Sequence, residues 1–259
     1  MQDRFEASPC LALDAASPEA LGTDVIDRLR AIAIQHGAVA PGTRIVRAGE
    51  PFRAIYGVRS GALKAVRPAG GGDEQVVGFH LPGEFFGLTA IHSERYVNSA
   101  VALVSSAVCA LPYQRLFYVA NRYPRLRREL MRLMSGVILS EQDHYAALAG
   151  HAADARMAFV LLDLRERLCR DGSAHRLRLR LPMTRAELGS SVGLAAETTS
   201  RVFQQFRRRG LIEASGRHIR FIDPDGLGRL AGALKHAGRA TSSARMRRRG
   251  ASRSSLPAR

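Results

Sequence analysis

Between Pro41 and about Tyr113 the chain never runs far without a glycine corner: "PGT", "AGEP", "RSGAL", "PAGGGDEQ" and "HLPGEFFG" interrupt it in turn. Only short strands fit between such corners, and the apolar runs "RIVRA", "AIYGV", "LKAVR" and "QVVGFHL" fill the gaps. Many short strands joined by Gly-rich turns indicate an all-β barrel or jelly roll. The hydrophobic share of 46% is ordinary for a globular chain and sufficient for a core.

Helical patterns flank this region. Upstream, "SPEALGTDVIDRLRAIAI" predicts a short amphipathic helix with Ser17 as N-cap before Pro18. Downstream, a long helix is predicted from about Pro124 to Ala149. Met131, Met134, Ile138, Glu141, Tyr145 and Leu148 step by 3, 4, 3, 4 and 3, which is heptad spacing. Such a seam docks on its own barrel or pairs with a second copy, and a helix this long between two domains predicts a homodimer. Glu141 would then lie near its own copy, a like-charge contact that weakens pairing.

The C-terminal third carries the chemistry. "HAADARMAFVLLDLRERLCR" reads as a helix ended by the turn "DGS", and "HRLRLRLPM" alternates basic and apolar residues as a half-exposed strand does. Thr184 followed by Glu187 is a capping-box signature. A turn around Gly193 leads into "AAETTSRVFQQFRRRG", and "LIEASGRHIRFID" reads as two strands joined through Ser215-Gly216. Helix, Gly-containing turn, helix and hairpin make a winged helix-turn-helix.

Within its second helix, spacings of three and four put Glu197, Ser200 and Arg201 on one side. Val202, Phe203 and Phe206 fall on another, which suits burial. Arg201 carries the forked donors that match guanine O6 and N7, Glu197 accepts from a cytosine amino group, and Ser200 donates or accepts. Thr184, Arg185, Arg207, Arg208, Arg209, Arg217 and His218 are placed for phosphates, which set register without carrying sequence. The competing reading makes Glu197 and Arg201 an ordinary i,i+4 surface pair. The capping box, the Gly turn and the wing around them decide for base reading.

Charge agrees. Formal net charge is +16 with a pI near 11.1, which favours a polyanionic partner such as double-stranded DNA. The last 22 residues hold seven arginines and no acid, so the rest of the chain still carries +9 without that tail. The tail is expected to be disordered. No run of 18 apolar residues and no secretory h-region occur, so neither a membrane span nor export is expected, and the chain reads as cytoplasmic. No Ser/His/Asp or Cys/His constellation, P-loop or metal-binding helix motif is present, so no enzyme is expected.

The order of Gly-rich β-roll, long helix and winged helix-turn-helix, over roughly residues 20 to 232, resembles the Crp/Fnr family of bacterial transcription regulators. "GDEQVVGFHLPGE", "LMRLMSGVILSEQD" and "ETTSR" are similar to the oxygen-responsive Fnr branch. The resemblance implies an α+β chain with a cyclic-nucleotide-binding-like jelly roll. It also implies a homodimer that binds a palindrome near TTGAT-N4-ATCAA and contacts RNA polymerase. Glu197, Ser200 and Arg201 match the family's three base-reading positions. The expected division is an N-terminal segment 1–35, a β-roll 36–120, a dimerisation helix 121–150, a winged helix-turn-helix 151–235 and an Arg-rich tail 236–259. Family members start the recognition helix on Ser or Thr. Ala195 stands there in this chain, and the missing cap costs about 1 kcal/mol. A ligand-sensing module with weak or no specific DNA binding is the alternative. It is disfavoured because the reading positions are intact and the ligand motifs are not.

Those motifs have decayed. Oxygen-sensing members hold a [4Fe–4S] cluster with three closely spaced N-terminal cysteines and one in the β-roll. Cys109 matches the roll position and only Cys10 remains at the N-terminus, so these two are weak candidates and no metal site is expected. The three cysteines, with Cys169, read as reduced thiols, and Cys109 as a small buried hydrophobe. Cyclic-AMP-binding members clamp the phosphate with an Arg-Ser pair where this chain has Asn98-Ser99, which removes the charged fork. For haem, His36, His80, His92 and His144 are available without a distinguishing motif. In the Fnr branch a seam carboxylate at the Glu141 position keeps the cluster-free form monomeric.

Overall fold

The computed structural model describes residues 21–69, 71–149, 151–169 and 177–232. The roll region consists of α1 (Thr23–Ile32), β1 (Ile34–Val39), β2 (Arg44–Val46), β3 (Ala54–Ser60), β4 (Leu63–Pro68), β5 (Glu74–His80), β6 (Phe85–Phe86), α2 (Ala90–Ser93), β7 (Ser99–Ala102) and β8 (Ser106–Pro112). Two helices follow, α3 (Tyr113–Arg122) and α4 (Pro124–Leu148). The C-terminal part is α5 (Ala153–Leu168), β9 (Arg178–Arg180), α6 (Arg185–Ser191), α7 (Ala196–Arg208), β10 (Ile212–Ser215), β11 (His218–Phe221) and α8 (Pro224–Ala231).

Strands β1 to β8 form two antiparallel sheets, ordered β1-β8-β3-β6 and β2-β7-β4-β5. Val46, Val58, Leu63, Phe86, Ala100, Ala102 and Val108 come from both sheets and fill the space between them. Each strand needs only two or three inward apolar residues, which is why such short runs suffice. Gly61 turns the β3–β4 corner at φ +80°, where a Cβ would meet the Ser106 Oγ at 2.2 Å. α1 packs Val25, Ile26 and Leu29 on Ile55, Cys109 and Leu111, and Leu116 and Val119 of α3 complete that outer layer.

A further apolar cluster joins the two halves of the molecule. Val66, Val76, Phe79 and Val101, on the sheet containing β4, β5 and β7, belong to the same core as Met157, Leu161 and Leu164 of α5 and Leu188, Phe203 and Phe206 of the helices beyond. α4 differs in kind. Only Leu126 and Ala147 of its residues are buried, whereas Met131, Ile138 and Tyr145 are 60%, 58% and 74% exposed.

The expected fold class holds, with local corrections. The first helix ends at Ile32, because Ala33 turns extended and Ile34 pairs with Ala110 at the start of β1. Its expected start at Ser17 lies outside the described residues, as do Cys10 and the Arg-rich tail. Residues 113–120, assigned to the roll, form α3 together with residues 121 and 122, and its Leu116, Val119 and Ala120 bury at helical spacing. α8 went unread although Asp223-Pro224 opens it. The Asp223 carboxylate accepts the Gly226 N–H at 2.7 Å, and proline stands at the first turn. The expectation of reduced thiols throughout is corrected at Cys109, which is disulfide-bonded, whereas Cys169 is a free buried thiol. α1 packs against the side of the sheet where Cys109 lies.

Candidate nucleic-acid interface

The head is built from its caps outward. Thr184 caps α6: its Oγ1 accepts the Glu187 N–H at 3.2 Å, while its own N–H donates to Glu187 Oε2 at 2.7 Å. Both halves of the capping box are therefore made. Gly193, at φ +66°, turns the chain into α7. The helices cross closely at Gly189, where a Cβ would lie 2.1 Å from Thr199 Oγ1 and 3.0 Å from the Leu194 carbonyl. Nothing larger than glycine fits at that crossing.

α7 buries Thr199, Val202, Phe203 and Phe206 and leaves Glu197, Ser200 and Arg201 exposed together on its N-terminal half. No ion pair joins Glu197 to Arg201 among the described residues. The Arg201 Nη2 instead makes a long contact, 3.4 Å, with Thr198 Oγ1. Ala195 holds the N-cap without a side-chain bond, as expected, and its carbonyl accepts Thr199 N–H at 2.9 Å and Thr199 Oγ1 at 3.0 Å.

The candidate phosphate residues divide. Arg217 and His218 stand exposed at the wing tip beside Gly216, where Arg217 Nη1 donates to the Pro182 carbonyl at 2.9 Å. Arg185 lies partly buried, its guanidinium 4.9 Å from the Phe203 ring centre. Thr184 spends its hydroxyl on Glu187, to which it also donates at 2.9 Å. Arg207, Arg208 and Arg209 are exposed at the far end of α7, about 16 Å along the axis from Glu197. They suit the negative end of the helix dipole there. They are not brought to the base-reading residues.

Tertiary structure adds groups that sequence spacing does not reveal. Lys64 of β4 reaches across to α6, its Nζ 2.8 Å from Glu187 Oε1, and Val76 N–H of β5 donates to Ser190 Oγ at 3.0 Å. Burial pushes the Glu187 carboxyl up, but Lys64 and the Thr184 N–H and hydroxyl outweigh it and hold the group below the usual carboxylate range. Arg167 of α5 donates to Glu84 at 2.7 and 2.9 Å, to the Phe79 carbonyl at 2.6 Å and to Asp163 at 2.8 Å. Burial opposes its charge, and the Glu84 and Asp163 carboxylates more than restore it. Beside this fork, burial holds the His80 imidazole down to about 4, with Glu84 pulling it up and Arg167 pushing it further down. The head is thus seated on the roll with its reading face turned outward.

In the roll, Asn98 at the surface and Ser99 in the interior are both bonded to other residues of the chain. Asn98 Oδ1 accepts Arg67 Nε–H at 3.0 Å, and the buried Ser99 Oγ accepts Ala48 N–H at 3.0 Å. The Tyr56 and Phe86 rings stack with centres 4.8 Å apart, and Phe52 and Tyr96 pack edge to face at 5.7 Å. No group of three or more His, Cys, Asp or Glu residues able to hold a metal ion occurs among the described residues. No helix among them is long and apolar enough to cross a membrane.

A β-roll carrying a helix-turn-helix with an outward reading face defines a DNA-binding regulator rather than an enzyme. The family described as Crp-like helix-turn-helix domain matches residues 155–230, and the family described as cyclic nucleotide-binding domain matches residues 37–123. The transcriptional activator protein FnrA of Stutzerimonas stutzeri is 38% identical over 237 residues, covering 91% of this chain and 96% of its own. The fumarate and nitrate reduction regulatory protein of Escherichia coli K12 is 34% identical over 223 residues, covering 86% of this chain and 89% of its own. The structure of FixK2 from Bradyrhizobium japonicum superposes with a TM-score of 0.70 at 28% identity, covering 78% of this chain and 98% of that one. The chain belongs to the Crp/Fnr family of DNA-binding transcription regulators.

Proposed function

We propose that the protein acts as a homodimer that reads a TTGAT-N4-ATCAA-like palindrome with Glu197, Ser200 and Arg201 and contacts RNA polymerase from the bound site. The observation that supports this most is the state of α7: three polar side chains, exposed together and not spent on one another, on the half of the helix that enters a major groove. Arg201 meets guanine and Glu197 meets a cytosine amino group. Arg217 and His218 hold flanking phosphate from the wing. Met131, Ile138 and Tyr145, with Met134, Glu141 and Leu148, form the seam on which the second copy packs. Burying such large apolar groups against their own copies stabilises the pair.

The donor set does not fit the cluster of the family's oxygen sensors, since four thiolates are needed and the chain has three cysteines in all. Nor does Asn98, already bonded to Arg67, replace an arginine fork for a cyclic phosphate. DNA binding is accordingly expected without either group. Titration of the purified protein, in air and with no added ligand, against the palindromic duplex and a scrambled control tests this. Selective binding is the expected result. Equal affinity for the two duplexes would overturn it. Glu141→Ala should raise the dimer fraction and the DNA affinity together, and identical sedimentation for variant and parent would remove Glu141 from the seam.

A further inference from the structure

The trio on α7 leaves most of its proposed half-site unread. In TTGAT, Arg201 on guanine and Glu197 on a cytosine amino group account for the two bases of one G·C pair. Ser200 adds a single hydroxyl, which donates or accepts without choosing between bases. Four A·T pairs remain in each half-site. Adenine presents an N7 acceptor beside an N6 donor in the major groove, and the side chains that answer both at once are asparagine and glutamine.

α7 carries one on the same face. Its buried residues are Thr199, Val202, Phe203 and Phe206. At about 100° per residue, the direction opposite their mean runs through Glu197, passes between Ser200 and Arg201, and reaches Gln204. Gln204 lies within about 20° of Glu197 around the axis, closer than Ser200 at about 60° or Arg201 at about 40°. It stands four residues past Ser200 and three past Arg201, the spacings of neighbours on a helix surface. Gln205 points about 80° away from Glu197, on the flank of this face.

Gln204 is exposed and makes no side-chain hydrogen bond among the described residues. Its amide, like the groups of the trio, is not spent on the fold. Along the axis it stands about 4.5 Å beyond Arg201. That is a little more than the step of about 3.4 Å between stacked base pairs. A side chain there meets a pair next to the one that Arg201 reads.

We infer that Gln204 is a fourth base-reading residue, which takes the adenine of an A·T pair beside the G·C pair of each half-site. Its Oε1 accepts from the N6 amino group and its Nε2 donates to N7. The inference rests on the reading of α7 proposed above and adds a specificity determinant to it. Such a contact distinguishes sequences, whereas a contact to phosphate does not.

The test removes the contact from each side in turn. In labelled palindromic duplexes, each adenine of one half-site is replaced singly by 7-deazaadenine, which lacks the N7 acceptor and still pairs with thymine. In a second set each A·T pair is replaced by G·C, with the purine kept on its strand, and the G·C pair by A·T. The full-length parent, Gln204→Ala and Arg201→Ala are titrated against every duplex. The parent should lose roughly 5- to 150-fold when one A·T pair beside the G·C pair is replaced. It should also weaken at that pair with 7-deazaadenine. Gln204→Ala should bind the unmodified duplex more weakly, lose nothing further at that pair with either replacement, and keep the parent's discrimination at the G·C pair. Its thermal midpoint should match the parent's, since the residue is exposed. An equal loss on every duplex would make Gln204 a phosphate contact and overturn the assignment. So would full sensitivity to 7-deazaadenine persisting in Gln204→Ala. If Gln204→Ala lost its one A·T pair while Arg201→Ala kept full discrimination at the G·C pair, Gln204 would stand and the role of Arg201 would fall.

Discussion

The face of α7 and the roll differ in what their polar groups are doing. On α7, Glu197, Ser200 and Arg201 are exposed and share no ion pair, on a helix whose opposite side is buried. In the roll, Asn98 and Ser99 are satisfied by Arg67 and Ala48, and aromatic rings pack between the sheets. A side chain kept free in water at no gain to the fold is available to a partner; one consumed by internal bonds is not. The contrast is between an exposed polar face on the head and polar groups of the roll that are bonded within the chain.

The contrast is sharpest at the joint, where the largest effect is expected. Arg167→Met leaves Glu84 and Asp163 without their shared cation in a partly buried site and should cost about 3 kcal/mol of stability. Urea unfolding reads this, and a loss below about 0.5 kcal/mol would make the fork a surface feature. Arg201→Ala should do the reverse. Removing a base contact costs about 1–3 kcal/mol of discrimination in each half-site, measured by anisotropy against a scrambled duplex. Stability should stay within about 0.5 kcal/mol, as at other surface sites. If Arg201→Ala unfolded the protein, the exposed face would be structural after all.

Acid should separate the regions next. His80 is held near 4 when folded and returns to its ordinary value when unfolded. Its contribution is complete above about 6.5 and is lost as the pH falls towards 4, because the unfolded chain binds the extra proton in that window. Glu187, whose carboxyl is depressed, adds loss in the same direction at the lower end. His80→Phe should flatten the stability slope between these limits; an unchanged slope would place the acid sensitivity elsewhere. The smallest effect is expected at the helix start. Ala195→Ser should add about 1 kcal/mol by supplying the absent cap. Chemical unfolding checks it, and the palindrome preference should not move.

Much of the architecture was legible in the residues. Gly corners marked the roll, heptad spacing marked α4, and Thr184 with Glu187 marked the start of α6, because each of these signals is local. α3 escaped because it follows β8 with no break in the chain, and its burial at Leu116 and Val119 is set by α1 and α4 rather than by its own neighbours. The division of the candidate phosphate residues escaped for a related reason. Sequence order puts Arg207, Arg208 and Arg209 close behind Arg201, yet a helix rising about 1.5 Å per residue carries them to its other end. The alternation in "HRLRLRLPM" did place Arg178 and Arg180 on one face of a strand, but not which strand lies beside it.

The amino-acid order alone thus determined most of the elements and the placing of Glu197, Ser200 and Arg201 on one side of α7, since periodicity and caps are properties of neighbours in the chain. Only the tertiary structure decided that Lys64 would reach Glu187, that Arg167 would bind Glu84, and that β9 would set its arginines beside His218 and Arg220. Those pairs are separated by 123, 83 and about 40 residues, and nothing but the packing of the shared core brings them together.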